Sequence, residues 1–160
     1  LILWRFEANE DLKWMRLALS EAQRAYEQGE VPVGAVVIQK DRILGRGHNR
    51  TEKLNDPTAH AEMIAISAAA ESLGHPHLKG ATIYVTIEPC PMCAGAIVLA
   101  RLERLVYGAR DPKTGACGTL YDITNDLRLN HRVKVSSGVL ENECSQMLSN
   151  FFRRLRSKTP

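Results

Sequence analysis

Thr82-Ile83-Tyr84-Val85-Thr86, followed closely by Pro89-Cys90-Pro91-Met92-Cys93, decides how this chain is read. The first five residues are all β-branched or aromatic and predict a strand. Pro89-Cys90-Pro91 breaks it, and Met92 to Leu99 starts a helix. Cys90 and Cys93 are three positions apart, so on a helical turn their thiols face the same way. A helix N-terminus stabilises thiolates, the form that binds metal. Upstream, His60-Ala61-Glu62 lies in the first turn of another predicted helix. His60, Cys90 and Cys93 are therefore three candidate zinc ligands, with the carboxylate of Glu62 beside one of them. A structural zinc site is normally closed by four protein ligands, whereas a catalytic one keeps a position open for water. Three ligands and an adjacent Glu read as chemistry. In open α/β sheets such a site gathers at one end of the sheet.

Working outward, Asp11 to Gln28 predicts an amphipathic helix, with Leu12, Met15, Ala18, Leu19, Ala22, Ala25 and Tyr26 at helical spacing. Gly34 to Ile38 is a compact apolar run expected to be a buried strand. Lys40-Asp41 makes a tight turn, and Arg42 to His48 returns as a second strand. Asn49 to Pro57 is polar and loop-like. A second helix spans Thr58 to Leu73, with Thr58 as cap and Gly74 as stop. Arg104 to Tyr107 and Arg132 to Ser137 are further strands, separated by a Gly-containing loop at Asp111 to Gly118. Glu141 to Arg156 is the last helix, with Cys144, Met147, Leu148, Phe151 and Leu155 on one face. Helices interleaved with strands imply an α/β fold: a three-layer α/β/α sandwich around a central five-stranded mixed sheet. Residues 1–160 are expected to form a single domain, with no repeat and no linker.

The 160 residues are 44% hydrophobic and 24% charged, an ordinary soluble composition. No apolar run approaches the ~18 residues that span a membrane. Leu1-Ile2-Leu3-Trp4 is followed by Arg5, Glu7, Glu10 and Asp11, which is not the pattern of a signal peptide. The expected location is cytoplasmic, where thiols stay reduced. Arg128 to Pro160 carries seven Lys/Arg against two Glu, whereas the preceding residues carry 14 against 16 Asp/Glu. A basic end on a near-neutral body suits an anionic partner, although cations also favour the C-terminal end of a helix.

Zinc lowers the pKa of a bound water to near neutrality. Glu62 is then placed to take a proton and deliver it to a ring nitrogen and a leaving amine, which is hydrolytic deamination. Cys-x-x-Cys alone would equally suit a redox pair or half a structural zinc knuckle. Combined with His-x-Glu it matches the signature of the zinc nucleobase deaminases, the class for which that signature was defined.

The resemblance extends further. Glu30-Val31-Pro32-Val33-Gly34-Ala35, Gly47-His48-Asn49-Arg50, Asp56-Pro57-Thr58-Ala59-His60-Ala61-Glu62, Thr86 to Ala96, Tyr107 to Gly115 and Leu129 to Val133 carry it along nearly the whole chain. The chain resembles the bacterial tRNA-specific adenosine deaminases, which convert a wobble adenosine to inosine. The resemblance implies a cytidine deaminase-like fold, one zinc per chain on His60, Cys90 and Cys93, and Glu62 as proton shuttle. It implies that Asn49 and Ala61 bind the flipped purine, with both donor and acceptor of the Asn49 amide available to it. It places Asp111 and Lys113 beside neighbouring nucleotides, and Arg50, Phe152, Arg153 and Arg156 near the RNA. The implied partners are a tRNA anticodon stem-loop and a second copy of the chain, a homodimer, with no membrane. Pro91 stands where members often have Val. Cys117 reads as a bystander, and Cys144 as a buried helix residue. Two alternatives stay open: a deaminase of a free base or nucleotide such as guanine or cytosine, and a non-catalytic zinc-containing RNA-binding subunit.

Overall fold

The computed structural model describes residues 2–160. Five strands, β1 (Gly34–Gln39), β2 (Arg42–His48), β3 (Thr82–Ile87), β4 (Arg104–Ala109) and β5 (Lys134–Ser137), form one sheet in the order β2-β1-β3-β4-β5. β1 is antiparallel to both β2 and β3, while β3, β4 and β5 run parallel. The sheet is therefore mixed, as expected. Around it stand α1 (Ile2–Glu27), the single turn α2 (Thr51–Leu54), α3 (Ala61–Leu73), α4 (Pro91–Leu99) and α5 (Glu141–Ser157).

Strand side chains alternate between two faces. Ala35, Val37, Ile83, Val85, Leu105 and Tyr107 join Ala61, Ala65 and Ala69 of α3 and Ala94, Ile97 and Val98 of α4 in one core. Val36, Ile38, Tyr84 and Val106 join Trp14, Met15 and Ala18 of α1 and Cys144 of α5 in the other. This makes three layers.

The helices ride close on the sheet where it carries glycine. A Cβ added at Gly34 would lie 2.0 Å from the Ala18 carbonyl of α1, and one at Gly47 would lie 2.6 Å from the Ala61 carbonyl of α3. One polar cluster pins α1 across the sheet. The largely buried pair Arg104–Asp11 is bidentate at 2.7 Å and 2.7 Å, and the Tyr84 hydroxyl donates to Asp11 at 2.9 Å. Arg104 also donates to Ser136 of β5 at 3.0 Å.

Several boundaries differ from the sequence reading. α1 starts at Ile2 rather than Asp11; Leu3 and Phe6 in its added turns are 81% and 64% exposed, so no buried stripe marks them. Leu12 is itself exposed, and Trp14 lies in the core instead. The expected loop at Asn49 to Pro57 contains α2, whose Glu52 and Lys53 N–H groups donate to the buried carboxylate of Glu30 at 3.3 Å and 2.9 Å. α3 begins at Ala61, because Thr58 bonds Asp56 through its N–H and hydroxyl at 2.8 Å and 2.7 Å instead of capping the helix. β5 begins at Lys134, two residues later than expected. On α5 the buried residues are Cys144 and Phe151, and Leu155 is exposed.

The N-terminal end of β1 and the C-terminal ends of β2, β3 and β4 meet at one end of the sheet. The starts of α3 and α4 lie there too. At the opposite end, Lys40 and Asp41 join β1 to β2 with φ of 47° and 60°, the left-handed pair that a two-residue hairpin turn requires.

Candidate active site

His60 is the N-cap residue of α3, and Cys90 is the N-cap residue of α4. Pro91 fits the first helical position, where a missing N–H costs nothing. The ring Nδ1 of His60 lies 3.6 Å from the Sγ atoms of both Cys90 and Cys93. All three donor atoms fall within 4.8 Å of one another and form a group able to hold a metal ion. Two sulfurs and one imidazole nitrogen make a donor set suited to zinc, and three protein ligands leave a position open.

The local electrostatics follow from crowding. Cys90 is held down at about 4, chiefly by the hydrogen bond from Cys93 and then by His60. Cys93 is pushed up, first by that same bond to Cys90 and then by burial. His60 is raised by its hydrogen bond to Cys90. Glu62, only 3% exposed, is raised to about 7 by burial.

His60, Glu62 and Cys90 line a cleft of about 820 Å³, with Cys93 buried behind them. Val31, Val33, Ile87, Leu148 and Phe152 give it apolar walls, and the exposed cations Arg110, Lys113, Arg153 and Arg156 lie along its rim. Phe151 is buried behind the rim, which leaves Phe152 facing the cleft.

Of the expected site residues, Ala61 and Arg50 lie off the cleft, while Asn49 and Asp111 line it with part of their polar groups already engaged. The Asn49 Oδ1 accepts the Ala61 N–H at 2.8 Å, which leaves the amide nitrogen and one lone pair of the oxygen to meet a ligand. Ala61 is fully buried against Gly47 and does not line the cleft. Arg50 heads α2 and does not line it either. The Asp111 carboxylate is turned onto its own loop. It accepts the N–H groups of Lys113 and Thr114 at 2.9 Å and 3.3 Å, and the Thr114 hydroxyl at 2.6 Å.

One residue the sequence reading passed over is Glu88, 1% exposed at the end of β3. Its only sequence signal is a carboxylate set between an apolar strand and Pro89. Cys117 is buried, and its N–H donates to Glu88 at 3.0 Å.

A three-layer α/β/α sheet whose helix starts bring His-x-Glu and Cys-x-x-Cys together defines a hydrolytic nucleobase deaminase of the cytidine deaminase-like class. Residues 9–156 match the family described as MafB19-like deaminase. The chain belongs to the tRNA-specific adenosine deaminases: it is 52% identical over 149 residues to that of Bacillus subtilis, covering 93% of this chain and 92% of the relative. A solved structure from work on A-to-I editing by tRNA:A34 deaminases superimposes with a TM-score of 0.82 at 48% identity. It covers 85% of this chain and 99% of that one. A guanine deaminase from Nitrosomonas europaea shares the fold, with a TM-score of 0.73 at 23% identity over 88% of this chain and 83% of that one. Among the described residues, no helix is long and apolar enough to cross a membrane.

Proposed function

We propose that residues 1–160 form one deaminase domain that hydrolyses the wobble adenosine of a tRNA anticodon loop to inosine. One zinc ion per chain is held by His60, Cys90 and Cys93. The observation that carries the reading is the buried carboxyl of Glu62 beside those ligands, on the floor of a cleft with apolar walls and a cationic rim.

Zinc, when bound, supplies a Lewis acid and a water acidified enough to attack a purine carbon. Glu62 moves the protons. It takes one from the attacking water and gives it to ring N1, then takes the second from the new C6 hydroxyl and gives it to the departing amine. A C6–O bond forms, the C6–N6 bond breaks, and ammonia leaves. Burial raises the Glu62 carboxyl above the ordinary carboxylate range, toward that of a group that both accepts and releases protons. The apolar walls suit the faces of a flipped base, and the free Asn49 amide nitrogen donates to an acceptor on its edge. Arg110, Lys113, Arg153 and Arg156 suit the phosphates on either side.

An anticodon stem-loop is the expected minimal substrate. Its loop bases are already partly unstacked, so flipping one costs only a few kcal/mol. A homodimer accords with the exposed Leu99, Leu120, Tyr121 and Leu127, four large apolar side chains at the end of α4 and in the segment after the Asp111 loop. The two thiolate ligands accord with a reducing, cytoplasmic setting.

The deciding experiment incubates the zinc-loaded protein with an anticodon stem-loop and reads inosine by sequencing, alongside free adenosine, guanine and cytosine. Conversion of the stem-loop alone is expected. Equal turnover of any free base would replace this reading with a small-molecule deaminase.

A further inference from the structure

Glu88 is a buried carboxylate that the deamination chemistry does not use. It is also the most heavily engaged side chain near the cleft. Its Oε1 accepts the Asp111 N–H at 3.2 Å, and its Oε2 accepts the N–H groups of Cys117 and Thr119 at 3.0 Å and 3.1 Å. The Thr119 hydroxyl donates to Oε1 as well. Four donors from the segment 111–119 therefore converge on one side chain.

The backbone around Glu88 strengthens the join. The Glu88 N–H donates to the Ala109 carbonyl at 2.8 Å, and the Ala116 N–H donates to the Pro89 carbonyl at 2.9 Å. The segment wraps so tightly that a Cβ at Gly115 would lie 2.5 Å from the Glu88 carboxylate and 2.5 Å from the Asp111 carbonyl. Asp111 then folds the tip, so that Lys113 stands exposed on the rim. Glu88 is also two residues before Cys90 in the chain. The same short stretch thus ends in a metal ligand and holds the root of the rim loop.

We infer that Glu88 is a positioning residue that sets the placement of the Asp111–Thr119 loop over the candidate metal centre. It thereby governs how well the enzyme holds the nucleotides flanking its target. This rests on the proposed RNA substrate. The physical argument is directional. A loop needs its backbone N–H groups satisfied, and a charged acceptor satisfies them more strongly than a neutral one. Glu88→Gln keeps the shape but turns an amide NH₂ toward donors, leaving part of the set unpaired.

The test uses the zinc-loaded full chain and has two independent readings. In Glu88→Gln, hydrogen exchange at the Asp111, Cys117 and Thr119 amides should rise by at least about tenfold, the scale of a lost charged hydrogen bond. The Val85 and Val106 amides in the sheet should not follow. KM for the stem-loop should rise by more than kcat falls, the mark of weakened binding. Thr119→Ala removes one donor, the hydroxyl, from a residue that is neither a candidate metal ligand nor its neighbour in sequence. It should move both readings the same way by less, and it carries the test if Glu88→Gln loses zinc. Unchanged loop exchange, exchange rising equally in the sheet, or a loosened loop with unchanged KM would each overturn the inference. Exchange is read without RNA. A wild-type protein inactive on the stem-loop would therefore sink the proposed function while the anchor is still judged.

Discussion

Replacing Gly47 with Ala adds one methyl group at the point where β2 carries the start of α3. The new Cβ would meet the Ala61 carbonyl at 2.6 Å, the Ala65 nitrogen at 2.9 Å and the Ile64 Cβ at 2.9 Å. Restoring ordinary contact requires the helix to move by roughly half an ångström to one ångström, and such overpacking costs about 1–3 kcal/mol. Ala stiffens the unfolded chain and returns about 0.4–1 kcal/mol. The net loss is then roughly 0–2.6 kcal/mol with a centre near about 1.3, or up to about 10 °C in Tm for a chain of this size. The functional cost should be larger than the stability cost. α3 begins with His60 as cap and Glu62 in its first turn, and a displacement near one ångström can lower turnover by about 10²-fold. Gly45→Ala is the matched control. Its Cβ would meet the Ala65 carbonyl at 2.5 Å and the Ala69 nitrogen at 2.6 Å, about one turn further along the same helix. Thermal unfolding, bound zinc and turnover on the stem-loop are measured for both. The two should lose similar stability, and Gly47→Ala should lose far more turnover or metal. Equal losses of activity would refute the claim that Gly47 seats the site.

Glu62→Gln should keep zinc and fold yet reduce turnover by about 10²–10⁴-fold or more, checked by metal analysis and single-turnover rates. Cys90→Ala and His60→Ala should lose the metal, so zinc stoichiometry separates ligand from proton shuttle. Asp11→Ala leaves Arg104 and Tyr84 without their shared acceptor. Breaking a well-buried ion pair costs about 3–5 kcal/mol; Arg104 is partly solvated, so a denaturant titration should read the lower end or below. Replacing Arg153 and Arg156 together with Ala should flatten the salt dependence of RNA binding, by roughly 0.7 in log–log slope for each lost contact to a single strand. An unchanged slope would remove these two side chains from the RNA path.

The grouping of His60, Cys90 and Cys93 into a candidate metal site was legible because the spacing of the two thiols is local. Cys90 and Cys93 stand on one turn, and proline and histidine mark the helix starts. The sheet was legible from alternation and apolar runs, and β2 falls where its pattern placed it. What escaped depends on partners distant in sequence. The Asn49 carbonyl oxygen already accepts the Ala61 N–H, a partner twelve residues away that no local pattern announces. Glu30 and Glu88 bond backbone N–H groups, which nearly every residue possesses, so no residue type announces their partners. The first turns of α1 escaped because Leu3 and Phe6, two of their large apolar side chains, stand exposed and mark no buried stripe.

The hairpin turn at Lys40 and Asp41 lies at the end of the sheet opposite the cleft, and both residues are exposed. That polarity offers an experimental handle. A dye or a surface tether attached at this turn would leave the whole cationic rim open to solution. Immobilised through it, every molecule would present the cleft in one orientation, and a signal from the label would report complex formation without the label competing for the nucleic acid.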